Sequence, residues 1–260
     1  MSDIEDRLRV SVIQDEISWH DPAANRDRYD KHLPDTLETD LVVLPEMFST
    51  GFSMKPWESF ETMNGKTVAW MLTKAQELDA VITGSLIMKL DDHYVNRMIW
   101  AKPDGNLSYY DKRHLFRFGK EHLHYEAGDQ RVIVEHKGWR VALFICYDLR
   151  FPVWSRNQAD YDLALYVANW PDARQFAWDS LLVARAIENQ CYIAASNRVG
   201  ADPLGNTFSG GSAILGPKGT GLFDFTDQTV LKTESLSMTE LNDYRELFPA
   251  AKDADPFTLT

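Results

Sequence analysis

Short apolar runs rich in β-branched residues alternate along this chain with longer segments whose apolar residues recur at helical spacing. Residues 41–44 are apolar at every position, a pattern typical of a strand buried on both faces. Residues 67–78 carry their apolar side chains on one side of a helix. Because no linker, repeat or low-complexity segment interrupts the alternation, the sequence predicts one α/β domain over residues 1–260, with helices covering the sheets.

The same patterns predict the other elements. Further strands are expected at 8–13, 81–87, 94–101, 139–145, 163–168 and 191–196, and further helices at 25–37, 178–188 and 237–245. The turn sequence at 103–106 predicts a β-hairpin that resumes near Tyr109, and residues 216–219 predict a turn between two late strands.

Charge and composition exclude several classes of function. The net charge is −12 and no block of Lys or Arg is present, which argues against binding to nucleic acid and, more weakly, to anionic membranes. No apolar stretch is long enough to span a bilayer, and the acidic N-terminus does not resemble a secretory signal. Both cysteines lie in apolar runs. We therefore expect reduced thiols and a cytoplasmic protein.

Three polar residues follow predicted strands: Glu46, Cys146 and Asn169. The carboxyl ends of parallel strands are where α/β proteins bind ligands, so these side chains are expected to converge. A lone cysteine is most often an inert, buried thiol, and Cys191, at the start of a plain apolar strand, fits that interpretation. Cys146 differs, because the residues after it, up to Pro152, predict a sharp turn into a helix that exposes the sulfur.

Two further residues have a structural and a functional interpretation. Glu46 could be a surface turn residue, but its neighbours Pro45, Met47 and Phe48 indicate an apolar site in which a raised pKa would suit a general base. Lys112 could be a solvated residue of a basic turn. Alternatively, its ammonium could lie near the cysteine, lower the pKa of the thiol and stabilise an oxyanion.

The histidines and the remaining motifs do not indicate a metal or a cofactor. His114, His122 and His124 are close in sequence, but they do not have the spacing of the helical zinc motif. Phosphate-binding loops, dinucleotide-binding fingerprints and the serine nucleophile elbow are absent as well. The sequence therefore predicts chemistry without a metal or a cofactor.

Taken together and in order, Leu-Pro-Glu46, Tyr-Asp-Lys112 and Cys146-Tyr-Asp resemble the Glu–Lys–Cys triad of the nitrilase superfamily, the carbon–nitrogen hydrolases. The resemblance runs through the whole chain and includes residues 185–190 and 210–212. The motifs at 48–52, 112–116 and 146–157 are similar to those of the bacterial omega-amidase branch.

This resemblance implies a four-layer α/β/β/α sandwich, a homodimer, no cofactor and no metal. It implies hydrolysis of the terminal amide of 2-oxoglutaramate, and of 2-oxosuccinamate, to the 2-oxo diacid and ammonia. By motif, Glu46 is the general base, Lys112 the oxyanion cation and Cys146 the nucleophile. The family's second active-site glutamate corresponds best to Glu121, with Glu126 as the alternative.

The substrate-binding residues are inferred from position. The backbone N–H of Tyr147 would complete the oxyanion site. The distal carboxylate of the substrate needs a cation, for which Arg150 is the first candidate and Arg174 the second. Arg150 could equally form an internal salt bridge with Asp148 or with another acid. Trp170 could form a wall of the pocket or belong to the core.

Other functions remain open at this point. Within the superfamily, the substrate could instead be deaminated glutathione or a carbamoyl amino acid, and a true nitrilase is a more distant alternative. A non-catalytic binding module of the same fold is also possible. The joint presence of a glutamate, a lysine and a cysteine at the expected positions favours an enzyme.

Overall fold

The computed structural model describes residues 6–158, 160–224 and 228–259. In chain order, the strands within these ranges are β1 (Arg7–Gln14), β2 (Leu41–Val43), β3 (Val81–Leu90), β4 (His93–Ala101), β5 (Leu107–Asp111), β6 (Ile133–His136), β7 (Trp139–Ile145), β8 (Leu163–Val167), β9 (Tyr192–Ser196), β10 (Val199–Ala201), β11 (Thr207–Ser209), β12 (Ala213–Leu215), β13 (Gly221–Asp224) and β14 (Val230–Ser237). The α-helices are α1 (Pro22–Asp30), α2 (Lys66–Leu78), α3 (Pro152–Ser155), α4 (Gln175–Asn189) and α5 (Met238–Leu247).

Two six-stranded sheets form the centre of the molecule. The first has the order β14-β1-β2-β3-β4-β5 and the second the order β13-β12-β9-β8-β7-β6. In each sheet three central strands are parallel, β1-β2-β3 and β7-β8-β9, and the outer strands pair antiparallel. Strands β10 and β11 form a separate hairpin. Parallel central strands bring their carboxyl ends to one edge, where side chains from distant parts of the sequence can meet.

The side chains of β2 show how the layers are built. Leu41 and Val43 pack in the core cluster that joins the two sheets, whereas Val42 and Leu44 pack with Tyr29 and with the apolar face of α2. Alternate residues of a strand point to opposite faces, so a strand covered on both faces must be apolar throughout. On the far side, α4 packs against the second sheet. The α/β/β/α sandwich implied by the resemblance is therefore confirmed.

Most predicted elements are present, with shifted ends. The strand predicted at 139–145 matches β7, but the helix predicted at 25–37 is wrong at both ends. Helix α1 begins at Pro22 because the side chain of Asp21 accepts a hydrogen bond from the Ala24 amide at 3.0 Å and caps it. The short strands β6, β10 and β11 were not predicted, since only one side chain of each is buried. Among the helices of the described segments, none combines the length and apolar character that a membrane crossing requires.

Candidate active site

The site lies where strand ends of both sheets meet. Glu46 follows β2 in the first sheet, and Asn169 follows β8 in the second. The backbone amide of Asn169 donates a hydrogen bond to Glu46 Oε2 at 2.9 Å, and the side-chain amide of Asn169 donates to the backbone oxygen of Glu46. The predicted convergence of these residues is thus found, and it spans the interface between the sheets.

Cys146 occupies a sharp turn at the end of β7. It is the first residue of the 3-10 turn Cys146–Arg150 and has a backbone φ of +45°. Few residues other than glycine adopt such a conformation, which is concentrated at functional sites. Its exposed fraction is 9%, whereas Cys191 is fully buried. The sharp turn expected from the sequence is present, and the helix that follows it is α3. Cys146 is nevertheless buried, so the expectation that the turn exposes the sulfur is wrong.

Asp148 holds this turn in place. Its carboxylate is fully buried and accepts hydrogen bonds from the Ile145 amide at 3.0 Å and from the Tyr110 hydroxyl at 2.7 Å. It also accepts from the His114 amide at 3.0 Å, and the ring Nδ1 of His114 lies 2.8 Å away. Asp148 is therefore engaged with residues near Lys112, and the alternative of a salt bridge with Arg150 is not found.

Lys112 directly follows β5 and points between two carboxylates. Its Nζ lies 2.8 Å from Glu46 Oε1 and 3.0 Å from both oxygens of Glu121. All three side chains are withdrawn from solvent. Burial opposes the charge on Lys112, but the attraction of Glu121 and Glu46 outweighs it and raises the pKa of the ammonium above its usual value. Lys112 therefore stays charged at neutral pH.

Glu121 begins the 3-10 turn Glu121–Leu123, and its Oε2 accepts a hydrogen bond from the Phe116 amide at 2.6 Å. Burial raises the pKa of its carboxyl, against the effect of Lys112, and the nearby Glu46 raises it further. Glu126, the alternative, is exposed and lies 3.6 Å from His93 on the outside of the molecule. The geometry favours Glu121 as the second glutamate of the site.

Sequence reasoning missed Asn96, which lies in β4. Its Nδ2 donates to Glu46 Oε1 at 2.8 Å and approaches Glu121 Oε1 at 3.4 Å. The side chain is fully buried in a strand that is otherwise largely apolar at its centre. A polar residue interrupting such a strand was the available signal, because buried amides need partners.

The thiol of Cys146 is held in its neutral form. Burial raises its pKa well above the usual value, and the negative charge of the nearby Glu46 adds to this effect. Lys112 works in the opposite direction but does not prevail. A neutral thiol next to a carboxylate can transfer its proton when it attacks an electrophile, which is the arrangement of a nucleophile and a general base.

A cavity of about 170 Å³ opens onto Cys146. The four residues predicted to bind substrate all line it, namely Tyr147, Arg150, Trp170 and Arg174. Trp170 is buried and its indole N–H donates to the backbone oxygen of Arg174 at 2.8 Å, so it is at once a wall of the cavity and a core residue. The apolar lining from Phe52, Met54, Phe116, Phe118, Leu204 and Phe208 was not predicted.

The histidines have structural contacts. The ring of His114 stacks on Phe151 with 3.8 Å between ring centroids, and His124 packs against Trp57. Over residues 6–158, 160–224 and 228–259, no three His, Cys, Asp or Glu side chains are grouped so that they could hold a metal ion.

A buried thiol beside a carboxylate–ammonium–carboxylate cluster, carried on an α/β/β/α sandwich, is the arrangement of a hydrolase of the nitrilase type. The family model described as carbon-nitrogen hydrolase matches residues 9–244, and the chain belongs to this family. It is an amidase, a hydrolase that acts on carbon–nitrogen bonds.

Individual relatives cover nearly the whole chain. It is 48% identical to the omega-amidase YafV of Escherichia coli K12 over 254 residues, which is 97% of this chain and 98% of the relative. It is 31% identical to the 2-oxoglutaramate amidase of Bacillus subtilis, over 94% of this chain and 96% of the relative. The crystal structure of XC1258 from Xanthomonas campestris, which has an arsenic adduct in its active site, is 48% identical and superposes with a TM-score of 0.95, covering 98% of this chain and 99% of XC1258.

Proposed function

We propose that this protein is an omega-amidase that hydrolyses the terminal amide of 2-oxoglutaramate, and of 2-oxosuccinamate, to the 2-oxo diacid and ammonia. The observation that carries the proposal is a pair of guanidinium groups, Arg150 and Arg174, in the cavity that opens onto Cys146. The near-full-length similarity to the omega-amidase of Escherichia coli supports the same substrate class.

Both guanidinium groups are placed by aromatic rings rather than by acids. Arg150 lies 5.1 Å from the ring centre of Trp170, and Arg174 lies 5.1 Å from that of Phe116. Within the described ranges, no carboxylate lies within 4.0 Å of either group. Burial and the neighbouring Arg150 lower the pKa of Arg174, although Cys146 acts in the opposite direction. Two cations without a counter-ion, in a chain of net charge −12, fit a substrate that brings its own carboxylate.

The acylation step follows from the contacts of Glu46. Its carboxylate takes the proton of the Cys146 thiol while the sulfur attacks the amide carbon, forming a C–S bond and a tetrahedral oxyanion. The Lys112 ammonium and the backbone N–H of Tyr147 stabilise this oxyanion. Protonated Glu46 then gives its proton to the leaving nitrogen, the C–N bond breaks, and ammonia leaves a thioester on Cys146.

Deacylation uses the same groups. Glu46 takes a proton from water, which attacks the thioester carbon. A second oxyanion forms, and the C–S bond breaks as the proton returns to the sulfur. Glu121 keeps Lys112 in place and compensates its charge, with both carboxylate oxygens 3.0 Å from Nζ. Asn169 and Asn96 each donate a hydrogen bond to a different oxygen of Glu46.

The test is ammonia release from 2-oxoglutaramate, from pentanamide, which lacks both the distal carboxylate and the 2-oxo group, and from a carbamoyl amino acid. We expect a clear preference for 2-oxoglutaramate. Because the nucleophile is removed, Cys146→Ala and Cys146→Ser should lower kcat by about 10³-fold or more, whereas Cys191→Ala should not. Full activity in either Cys146 variant would exclude the nucleophile assignment, and a preference for the carbamoyl compound would exclude the substrate.

We infer further that the protein acts as a cytoplasmic homodimer with no nucleic-acid or membrane partner. Its two cysteines are free and buried, which suits a reducing compartment. A surface cleft that contains the exposed Val153 and the C-terminal Leu259 is a candidate contact for a second copy. Sedimentation analysis of the parent and of Val153→Glu tests the dimer, because an introduced charge there should favour the monomer.

A further inference from the structure

The β10–β11 hairpin lies outside both large sheets and is firmly held. Arg198 is buried beneath it and donates to the backbone oxygens of Val199 at 3.2 Å and Ala201 at 3.0 Å. Its guanidinium also lies 4.6 Å from the ring centre of Phe208. At the tip, the Asp202 carboxylate accepts hydrogen bonds from the amides of Leu204 and Asn206, both at 2.9 Å. The hairpin is thus fixed at its base and at its turn.

Side chains of this hairpin form one wall of the cavity that contains Cys146, and they lie at different depths below its opening. Phe208 is buried and lies in the wall, whereas Leu204 is 68% exposed and therefore lies at the opening. The other exposed apolar residue of the lining is Phe118, in the 3-10 turn Arg117–Gly119, which is 85% exposed. Leu204 and Phe118 together are called the rim below.

The volume of the cavity limits the size of the substrate that can bind behind the rim. A space of about 170 Å³ is suited to a compound of about ten non-hydrogen atoms and leaves little room for more. Any extension of the substrate, on the acyl side or on the amide nitrogen, has to leave through the opening. Bulky side chains that stand there on supported turns exclude such extensions by collision.

We propose that the rim makes this enzyme selective for unsubstituted amides, those whose leaving group is ammonia, against amides that carry a substituent on nitrogen. This inference rests on the proposed function for the acyl part of the substrate. It adds Leu204 and Phe118 as specificity-determining residues, and it separates the proposed substrate from amides of the same 2-oxo acid with an amino acid or peptide on nitrogen.

The first experiment compares 2-oxoglutaramate with its N-propyl derivative, whose substituent is uncharged. Both yield 2-oxoglutarate, so a single product is measured. The parent should prefer the primary amide, and Phe118→Ala/Leu204→Ala should lower the ratio of the two kcat/KM values by about tenfold or more. Phe118 also lies near Arg174, but both substrates share the same acid end, so a change in carboxylate binding cancels in the ratio.

Matched controls are Phe176→Ala and Leu247→Ala. Both residues are highly exposed and neither lines the cavity, so the ratio should equal that of the parent. A ratio that stays at the parent value in the double rim variant overturns the proposal.

A second experiment does not depend on the substrate. Iodoacetamide and N-benzyl iodoacetamide alkylate Cys146 with formation of an S–C bond and loss of iodide and a proton, and peptide mass spectrometry gives the rates. The rim proposal requires that the parent reacts faster with iodoacetamide than with N-benzyl iodoacetamide, and that the double variant has a smaller ratio of these two rates. The same ratio in parent and variant refutes it. If the parent does not hydrolyse 2-oxoglutaramate, the proposed function fails, and the labelling ratio alone decides on the rim.

Discussion

The Lys112 ammonium lies 2.8 Å from the Glu46 carboxylate, and neither side chain is accessible to solvent. Glu121 places a second carboxylate 3.0 Å from the same ammonium. Charges taken out of water are costly unless they remain paired. The site is therefore a cluster whose members depend on one another for stability.

Removal of the central cation should show this dependence. Lys112→Met leaves two buried carboxylates without a counter-charge, and we expect the free energy of unfolding to fall by about 3–5 kcal/mol. Hydrolysis should be lost at the same time, because the oxyanion loses its cation. Urea unfolding followed by circular dichroism measures the first effect and ammonia release the second.

The double variant Lys112→Met/Glu121→Gln separates the two effects. It removes one of the stranded charges, so part of the lost stability should return while activity stays absent. A double variant that is as unstable as the single variant would contradict the interdependence of the two side chains.

The pH dependence follows from the raised pKa of Cys146. The competent form has a neutral thiol and an ionised base, and a raised thiol pKa keeps the thiol protonated to higher pH. We therefore expect kcat/KM for the amide to stay level through about pH 9 rather than to fall near the usual thiol pKa of about 8.5. A stopped assay over a wide pH range, with protein stability checked at each pH, measures this. A decline centred near pH 8.5 would show that the thiol ionises normally.

Asn96 should affect turnover more than binding. It donates to Glu46 but does not line the cavity. Asn96→Leu keeps the size and removes the donor, so we expect kcat to fall about tenfold, the cost of one buried hydrogen bond to a charged group, with a smaller change in KM. Steady-state kinetics measures both constants, and Asn106→Ala at an exposed position is the control. A change confined to KM would refute this role.

The sequence predicts the positions of Glu46, Cys146 and Asn169 because each follows a strand with a clear apolar pattern. The distances between these residues in the folded protein do not follow from such patterns. The contact between Glu46 and Asn169 crosses from one sheet to the other, and it depends on how the sheets pack. No local pattern contains that information, and the same holds for the contact of Asp148 with Tyr110.

The cavity wall was missed for a similar reason. Phe208 lies in a three-residue strand that contains a single buried side chain, too short for a reliable alternation. Its place in the cavity wall is supported by the Arg198 guanidinium, 4.6 Å from the centre of its ring, a contact that no local pattern predicts. Arg150 and Arg174 could be proposed from position, but only the structure shows them resting on aromatic rings.

The two arginines should bind the substrate carboxylate jointly. Arg150→Met and Arg174→Met should each raise KM for 2-oxoglutaramate, by about ten- to a hundredfold for the loss of a charge-assisted hydrogen bond. Hydrolysis of pentanamide, which lacks the carboxylate, should change little. The control is Arg117→Met, a neighbouring arginine that does not line the cavity. Equal losses with both amides would mean that the arginines act on the fold rather than on the carboxylate.

Asp40 gives a test of the fold at low pH. It accepts hydrogen bonds from the Arg9 amide at 2.7 Å and from Lys137 Nζ at 2.8 Å, and so links the two sheets. Burial acts to raise its pKa, but the hydrogen bonds from the Arg9 guanidinium, at 3.0 Å, from Lys137 and from the Arg9 amide outweigh burial and lower the pKa to about 2. A carboxyl with a lowered pKa stabilises the folded state above its unfolded pKa of about 4 and loses that effect as the pH falls towards 2. Asp40→Asn should therefore lower the free energy of unfolding by about 2 kcal/mol at neutral pH, and by progressively less below pH 4. Urea unfolding at several pH values measures this, with the exposed Asp35→Asn as control, and a cost that does not shrink in acid would refute the linkage.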